Sequence, residues 1–380
     1  MSNFGLFLLA CCVTGTLAIV PEAADLQLRL FSKEQSVLHG ARCLDGTPSG
    51  YYYKAGSNKT AWVIFLEGGG YCADLDSCTD RTRTNLGSSK GWKPTMTAPG
   101  LLTISSTGNK DFYSWNHIYI PYCCGDLHSG QRSKPNDWKM YFSGHLTIKA
   151  VLSDLMNTSN LEQAKQVLLT GESAGGIGAF EHADYLASLL TKATVKSAPI
   201  GGWFTPIGAM NYNEWLKKEP ALPRSNSIYL LYDSFTQQAC TKANPGKAYM
   251  CGPANIPFLY PYIKTPLYVI ENQYDSWQLF TEQGCPSEKT SDVVHYVEYY
   301  GKLMRDSLDE VLNSTKNDGL FAPSCIAHVE NFLVPYEGIT INNITYGESL
   351  GDWYYKREGT TYTQLMKNCT LPCNAKCDLG

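Results

Sequence analysis

Residues 167–175 read VLLTGESAG, and in this stretch a short apolar run leads directly into a Gly-Glu-Ser-Ala-Gly turn. The residues that follow keep a helical pattern to about Leu190, so the segment predicts a strand, a tight turn and a helix. In that context a G-x-S-x-G turn lifts the serine hydroxyl clear of the sheet. The alternative is an ordinary helix-capping serine in a glycine-rich turn. We predict that Ser173 is a nucleophile and that the Ala174 N–H donates to an oxyanion at the start of the helix.

Outward from this turn, the same pattern of a short apolar strand followed by a turn recurs along the chain. The predicted strands are residues 62–66, 117–121, 167–170 and 267–270, and residues 142–156 carry apolar side chains at helical spacing. No repeat or linker divides the sequence. We predict a single domain over residues 19–380 with an α/β-hydrolase-like, mostly parallel sheet that is flanked by helices and stabilised by disulfides.

Composition narrows the function. The chain has 380 residues, of which 43% are hydrophobic and 17% charged, which is enough apolar material for a large core. The formal net charge is −4 and no Lys/Arg run occurs, which argues against a nucleic-acid partner. We therefore do not expect the partner to be a polyanion held by bulk charge, and we expect a monomer.

The N-terminus has the pattern of a secretory leader. Residues 1–13 form a mainly apolar segment that is too short to span a bilayer, and Thr16-Leu17-Ala18 offers small residues at a signal-peptidase site. The segment carries no Lys or Arg, which departs from the usual leader pattern. An N-terminal membrane anchor is the alternative, and it is disfavoured because the apolar run is shorter than the roughly 18 residues that a span needs. We predict that residues 1–18 are a signal peptide, that the protein is secreted and that it does not stably insert into a membrane.

Cysteines and glycosylation motifs fit an oxidising compartment. Of 14 cysteines, Cys11 and Cys12 lie in the leader, which leaves an even number for disulfides. We predict bridges Cys72–Cys78 and Cys240–Cys251, and distant partners for each of the adjacent residues 123 and 124. The C-terminal cysteines at 369, 373 and 377 lack a CxxC pair or a nearby His, so we predict disulfides there and no metal site or cofactor. Five N-x-[ST] motifs begin at Asn58, Asn157, Asn313, Asn343 and Asn368.

A second glycine-rich segment follows the strand at 62–66. Three consecutive glycines, 68–70, allow backbone N–H groups to approach a substrate oxygen without obstruction by Cβ. Alone such a run is more often a flexible loop, but with the serine turn downstream it predicts the other half of an oxyanion hole. We assign Gly69 and Gly70 as donors, with Tyr71 as a pocket wall.

The base and the acid of a triad should follow Ser173 in that fold, in the order acid and then histidine. Two histidines lie late enough: His295 is in an apolar run typical of helix or core, whereas His328 is in a loop after Asp318 and is preferred. Asp275 follows the strand that ends near residue 270 and is the candidate acid. Glu271 and Asp233 remain open as alternatives on pattern alone.

Together these motifs resemble the pectin acetylesterase/Notum family of ester hydrolases over nearly the whole chain from residue 42 to 377. The matching segments are residues 43–51, 66–72, 115–116, 121–123, 129–130, 171–176, 274–278, 325–328 and 372–374. The resemblance implies an α/β-hydrolase fold and a triad of Ser173, Asp275 and His328, and it favours Asp275 over Asp233. Trp277 lies within a matching segment and is a candidate substrate-binding residue.

Within that family the sequence is more similar to the acetylesterases. Notum-like sequences carry tryptophan at the position of Gly70, and residues 351–355 also resemble the acetylesterases, whereas residues 202–204 and 321–325 resemble Notum as much. Glu172 departs from the small or neutral residue expected before the nucleophile. We therefore expect a secreted serine esterase that removes O-acetyl groups from polysaccharide. The alternatives are a Notum-like deacylase of a secreted protein and, from a different class, a non-catalytic binding protein on a hydrolase fold.

Overall fold

The computed structural model describes residues 25–97, 100–204, 208–220, 226–253, 255–358, 363–374 and 377. The predicted signal peptide, residues 1–18, lies outside the described residues. The strands are β1 Leu26–Leu30, β2 Gly50–Lys54, β3 Ala61–Leu66, β4 Thr95–Met96, β5 Asn116–Ile120, β6 Gln166–Glu172, β7 Thr194–Ile200, β8 Tyr268–Ile270, β9 Tyr274–Asp275, β10 Gly319–Ala322, β11 Ile326–Ala327, β12 Thr340–Ile341, β13 Ile344–Thr345 and β14 Gln364–Met366.

Helices connect and cover these strands. The α-helices are α1 Lys33–His39, α2 Leu75–Arg81, α3 Gly144–Thr158, α4 Ala174–Leu189, α5 Tyr212–Lys217, α6 Ser227–Tyr232, α7 Gln238–Ala243, α8 Ile256–Leu259, α9 Ser291–Leu312 and α10 Tyr346–Tyr355. Short 3₁₀ turns cover Gly100–Leu102, Leu161–Gln163, Ala248–Cys251, Tyr260–Tyr262 and Glu330–Phe332, and a π-helical turn covers Trp277–Glu282.

Ten of the strands in the described part of the chain form one sheet, in the order β14-β10-β8-β7-β6-β3-β5-β2-β1-β4. Every pairing from β14 to β5 is parallel, and β2, β1 and β4 add antiparallel strands at one edge. The carboxyl ends of the parallel strands therefore share one edge of the sheet, where ligands bind in such folds. The predicted α/β-hydrolase-like, mostly parallel sheet is confirmed.

Both faces of the sheet are covered, which explains why β3 is apolar throughout. Its side chains alternate between two cores, with Trp62, Ile64 and Leu66 in one and the intervening residues in the other. Helix α3 packs on the first face through residues such as Leu152, and α10 packs on the second through residues such as Leu350. A strand buried on both faces cannot show a polar alternation.

The predicted elements that lead to the functional site are present in the structure, with ends shifted by up to two residues. The predicted segments 62–66, 117–121, 167–170 and 267–270 correspond to β3, β5, β6 and β8, and 142–156 corresponds to α3. One expectation was wrong: the chain after Asp318 does not begin as a loop, because residues Gly319–Ala322 form β10 between β8 and β14. That strand is short, and its residues are fully buried.

Five disulfides occur in the described residues: Cys43–Cys123, Cys72–Cys78, Cys240–Cys251, Cys325–Cys377 and Cys369–Cys373. The two predicted disulfides, Cys72–Cys78 and Cys240–Cys251, are confirmed. The C-terminal cysteines form disulfides as expected. The expectation that Cys124 has a distant partner was wrong. Cys124 is a free thiol, since its buried Sγ lies 3.2 Å from the Arg42 carbonyl oxygen while its neighbour takes the bridge. Cys285 is also free and buried.

Candidate active site

Ser173 occupies the strained turn between β6 and α4. Its backbone has φ 54° and ψ −119°, and its N–H donates to the Ile200 carbonyl at 2.8 Å. The turn requires its glycines: a Cβ at Gly175 would stand 1.9 Å from the Leu66 carbonyl oxygen, and one at Gly171 would stand 2.5 Å from the Gly175 oxygen. The backbone thus holds Ser173, which is 8% exposed, at the carboxyl edge of the sheet.

The glycine loop after β3 packs directly against this turn. A Cβ at Gly68 would stand 2.7 Å from the Glu172 carbonyl oxygen and 3.1 Å from Ser173 Cβ. Gly69 and Gly70 both have positive φ, 132° and 64°, which L side chains rarely adopt. The loop therefore keeps its bare backbone beside Ser173, as the predicted oxyanion hole requires.

Arg81 fixes the orientation of that loop. Its Nη2 donates to the Gly69 carbonyl oxygen at 2.8 Å, and its Nε donates to the Leu86 carbonyl at 2.9 Å. Because the C=O and N–H of a trans peptide point in opposite directions, the Gly70 N–H points away from Arg81. A single arginine thus sets the direction of one predicted oxyanion donor.

Glu67 anchors the start of the same loop. Its carboxylate accepts the Tyr122 N–H at 2.7 Å, and its carbonyl accepts from His128 Nε2 at 2.8 Å. Burial raises the pKa of the Glu67 carboxyl to about 7. The bend from strand to glycine loop is therefore held on both sides by hydrogen bonds from the β5-to-α3 connection.

Asp275 and His328 meet at a second point on the sheet edge. His328 Nδ1 donates to Asp275 Oδ2 at 2.5 Å, and the other carboxylate oxygen accepts the Gln278 N–H at 2.8 Å. The contact depends on backbone pairing, since β9 and β11 form a parallel ladder in which Asp275 opposes Ala327. His328 Nε2 is buried and has no hydrogen-bond partner among the described residues.

The His328 ring lies close to the serine turn. A Cβ at Gly201 would stand 3.5 Å from His328 Cε1, and Gly201 directly follows Ile200, whose carbonyl accepts the Ser173 N–H. Burial alone lowers the pKa of His328, but the charge and hydrogen bond of Asp275, with the charges of Glu330 and Glu172, raise it above its ordinary value. The imidazole is therefore surrounded by groups that stabilise its protonated form.

Four further hydrogen bonds hold the histidine loop. Asn272 Nδ2 donates to the His328 carbonyl at 2.6 Å, and the side-chain amides of Asn272 and Asn331 bond reciprocally at 2.8 and 3.1 Å. The His328 N–H in turn donates to a Glu330 carboxylate oxygen at 2.8 Å. Sequence reasoning missed these residues, because side-chain contacts between separate loops leave no periodic signal.

Aromatic residues border the site. The Trp277 ring lies 6.3 Å from the His328 ring, centroid to centroid, and a Cβ at Gly70 would stand 3.5 Å from Trp277 Cη2. Trp277 thus lies between the histidine and the glycine loop. Tyr71 follows Gly70 on that loop and is 37% exposed. Its predicted role as a pocket wall stays a prediction.

The rival candidates lie elsewhere or contact other groups. His295 lies on α9 with an exposed side chain, and Asp233 is the exposed left-handed residue that ends α6. Glu271 is fully buried near Asp275, but its Oε2 accepts the Trp203 N–H at 2.8 Å. Of the three carboxyls considered, Asp275 bonds to His328.

Two features are absent from the part of the chain that the structure describes. No group of three or more His, Cys, Asp or Glu side chains is arranged to hold a metal ion. None of the described helices has the length and apolar character needed to cross a membrane.

The parallel sheet, the serine turn and the loops at its carboxyl edge define a protein of the α/β-hydrolase type. The sequence model of the family described as Pectinacetylesterase matches residues 21–378, and the chain belongs to that family. The expected family resemblance is confirmed.

Curated relatives and a solved structure agree with this membership. Pectin acetylesterase 5 of Arabidopsis thaliana is 30% identical over 94% of this chain and 85% of its own length. Palmitoleoyl-protein carboxylesterase notum1a of Danio rerio is 31% identical over 88% of this chain and 70% of its own length. The structure of the Wnt deacylase Notum from Drosophila superposes with a TM-score of 0.80, at 27% identity, covering 93% of this chain and 99% of that one. These relatives support an esterase.

Proposed function

We propose that the protein is a secreted serine carboxylesterase that removes O-acetyl groups from extracellular or cell-wall polysaccharide. The observation that carries the serine mechanism is the arrangement of Ser173 on a strained turn, near a His328 ring that is bonded to Asp275. The leader pattern of residues 1–18 and the disulfides support secretion, and we propose that residues 19–380 act as one monomeric domain.

The proposed mechanism is acyl transfer in two steps. His328 Nε2 accepts the Ser173 proton while Oγ attacks the ester carbonyl, and the N–H groups of Gly69, Gly70 and Ala174 stabilise the oxyanion. The C–O bond breaks, and His328 returns the proton to the departing alcohol. Water then loses a proton to His328 and attacks the acyl-enzyme. The bond from the acyl carbon to Ser173 Oγ breaks, His328 returns the proton to Oγ, and the acid is released.

The position of Trp277 supports a short acyl group. Its indole borders the glycine loop at Gly70 and lies beside His328, and in the proposed mechanism these two groups flank the ester carbonyl that Ser173 attacks. A bulky ring in this place reduces the width available to the acyl chain. The pectin acetylesterase relatives favour the same interpretation.

A Notum-like deacylase that removes a fatty acyl ester from a secreted protein is the second candidate. The relative from Danio rerio and the solved structure from Drosophila favour it about as strongly as the plant relatives favour acetyl removal. The two functions differ in the length of the acyl chain, so that length is the quantity to measure. A non-catalytic binding protein is the third candidate, and it predicts no hydrolysis at all.

The test is hydrolysis of p-nitrophenyl esters from acetyl to palmitoyl, with Ser173→Ala at matched concentration. We expect a preference for acetyl that Ser173→Ala abolishes, and then activity on acetylated pectin or xylan. A maximum at eight or more carbons supports the deacylase instead. Trp277→Ala should extend hydrolysis to longer chains, whereas the control Tyr113→Ala, at an exposed aromatic residue, should not.

A further inference from the structure

Behind Asp275 lies a second buried carboxyl group that the triad does not use. Glu271 follows β8, is fully buried and is in hydrogen-bonding contact with the side chain of Asp275. Glu271 Oε2 accepts the Trp203 N–H at 2.8 Å, but Oε1, which is also buried, has no hydrogen-bond partner when both carboxyls are taken as ionised. A buried carboxylate oxygen without a partner is costly.

Both carboxylate oxygens of Asp275 already accept a hydrogen bond. One accepts from His328 Nδ1 and the other accepts the Gln278 N–H, so Asp275 carries the negative charge that pairs with the histidine. A second negative charge on Glu271 would be buried beside it with one imidazolium to neutralise both. A proton on Glu271 removes that repulsion and turns the unpartnered oxygen into a donor.

We propose that Glu271 is a neutral carboxylic acid that donates a hydrogen bond to Asp275 and thereby positions the Asp275–His328 pair. This positioning role rests on the proposed esterase function, while the protonation state of Glu271 can be measured without it. Burial, with the adjacent Asp275 charge, raises the pKa of Glu271 well above its ordinary value. Glu271 also ties the pair to the rest of the fold, because Trp203 lies at the start of the segment after β7.

The other polar groups around Glu271 leave this arrangement intact. Tyr300 of α9 faces both carboxyls, but its hydroxyl is buried without a partner, so it does not supply the missing bond. The backbone N–H groups of Trp203 and Asn272 are the remaining donors near the Glu271 carboxyl. The titratable groups next to Glu271 are Asp275 and Tyr300. His328 interacts with Glu271 only indirectly, through its hydrogen bond to Asp275.

Infrared difference spectra of the whole protein test the protonation state directly. The spectrum of the wild type minus that of Glu271→Gln should show the C=O stretch of a protonated carboxyl at neutral pH. The same difference band should appear when both proteins also carry Ser173→Ala. The variant Glu310→Gln, at an exposed carboxyl of α9, provides the control and should lack this difference band. A carboxylate band in place of the acid band overturns the proposal.

Kinetics test the positioning role through the pH dependence of kcat/KM. A neutral glutamine replaces a neutral acid, so the acid limb of Glu271→Gln should coincide with that of the wild type. If Glu271 were ionised, the same substitution would remove a negative charge. The pKa of His328, read from the acid limb of kcat/KM, would then fall by roughly one pH unit. Such a downward shift overturns the proposal.

Glu271→Leu removes both the donor to Asp275 and the acceptor for Trp203. We expect kcat to fall roughly ten- to a hundredfold with little change in KM, since a small misplacement of catalytic groups has that effect. Glu271→Gln should keep most of the activity, and equal losses in the two variants would overturn the positioning role. Should Glu271→Leu not fold, the spectra and the Glu271→Gln profile still decide. If the wild-type protein itself hydrolyses no ester, that result counts against the esterase proposal and not against the protonation state of Glu271.

Discussion

Asp275 and His328 are 53 residues apart in the chain, yet His328 Nδ1 donates to Asp275 Oδ2 at 2.5 Å because β9 and β11 pair beyond the sheet edge. The same short ladder places Ala327 opposite Asp275. The pairing of β9 with β11 therefore helps to hold the proposed acid beside the proposed base.

Asp275→Asn should inactivate the esterase while the fold is retained. An amide at this position favours the wrong tautomer of the histidine, and turnover should fall by about 10³- to 10⁴-fold. Hydrolysis of p-nitrophenyl acetate measures the loss, and the exposed Asp309→Asn on α9 is the matched control. Retention of more than a tenth of the activity would contradict the assigned role of Asp275.

Glu172→Gln should move the pH profile to lower pH. The negative charge of Glu172 is among the groups that raise the pKa of His328, so its removal lowers that pKa and keeps the base neutral in more acidic solution. The acid limb of kcat/KM is the measurement, with the exposed Glu162→Gln as control. An unchanged limb, or one displaced to higher pH, would contradict the electrostatic coupling of Glu172 to the histidine.

Much of this arrangement is predictable from local sequence, and the rest depends on contacts between distant segments. The serine turn could be predicted because strand, glycines and helix lie within one stretch. The edge strands β1, β2 and β4 were not identified, because their pairing joins residues that are far apart in the sequence.

The choice of acid shows the same limit. Pattern alone could not separate Asp275 from Glu271, since both follow β8 within five residues. The family resemblance favoured Asp275, and the structure supplies the physical distinction: one carboxyl contacts His328 and the other contacts Trp203. Likewise, the number of cysteines could not show that Cys124 is free, because an even number does not reveal which cysteines form disulfides.

Buried histidines should make the fold sensitive to acid. His182 Nδ1 donates to the Gly178 carbonyl, so its Nε2 accepts from His145 Nδ1 at 3.0 Å and both rings are neutral. Burial lowers the pKa of His182 to about 4 and, with the charge of His182, that of His145 to about 2. Unfolding raises both pKa values toward 6.5. The stabilisation that comes from keeping the two rings neutral is therefore full above pH 6.5 and is lost as the pH falls below that value.

His145→Phe should reduce that loss. The phenyl ring can keep the stacking on Phe235 but does not titrate, so the dependence of unfolding free energy on pH should fall by up to about 1.4 kcal/mol per pH unit between pH 6.5 and 4.5. At neutral pH the variant should be about 1–3 kcal/mol less stable, because His182 loses its donor. Denaturant unfolding at several pH values measures both, and the exposed His39→Gln is the control. An unchanged slope would contradict this account.

The two free thiols should be inaccessible in the folded protein. Burial raises the pKa of both Cys124 and Cys285, which makes each thiol unreactive. A chain that begins at residue 19 should therefore release no colour from Ellman's reagent when folded and two equivalents when unfolded without reductant. Cys124→Ser and Cys285→Ser should each reduce the count by one, and reaction of the folded wild type would contradict their burial.

Covalent labelling with a fluorophosphonate, followed by intact mass measurement and peptide mapping, tests most directly whether Ser173 is the nucleophile. We expect one label per chain, on Ser173, with hydrolysis lost in proportion to labelling. The same treatment should leave Ser173→Ala unmodified and should label His328→Ala far more slowly, since no base then takes the serine proton. Labelling at another residue, or hydrolysis that survives full modification of Ser173, would contradict the claim that Ser173 is the nucleophile.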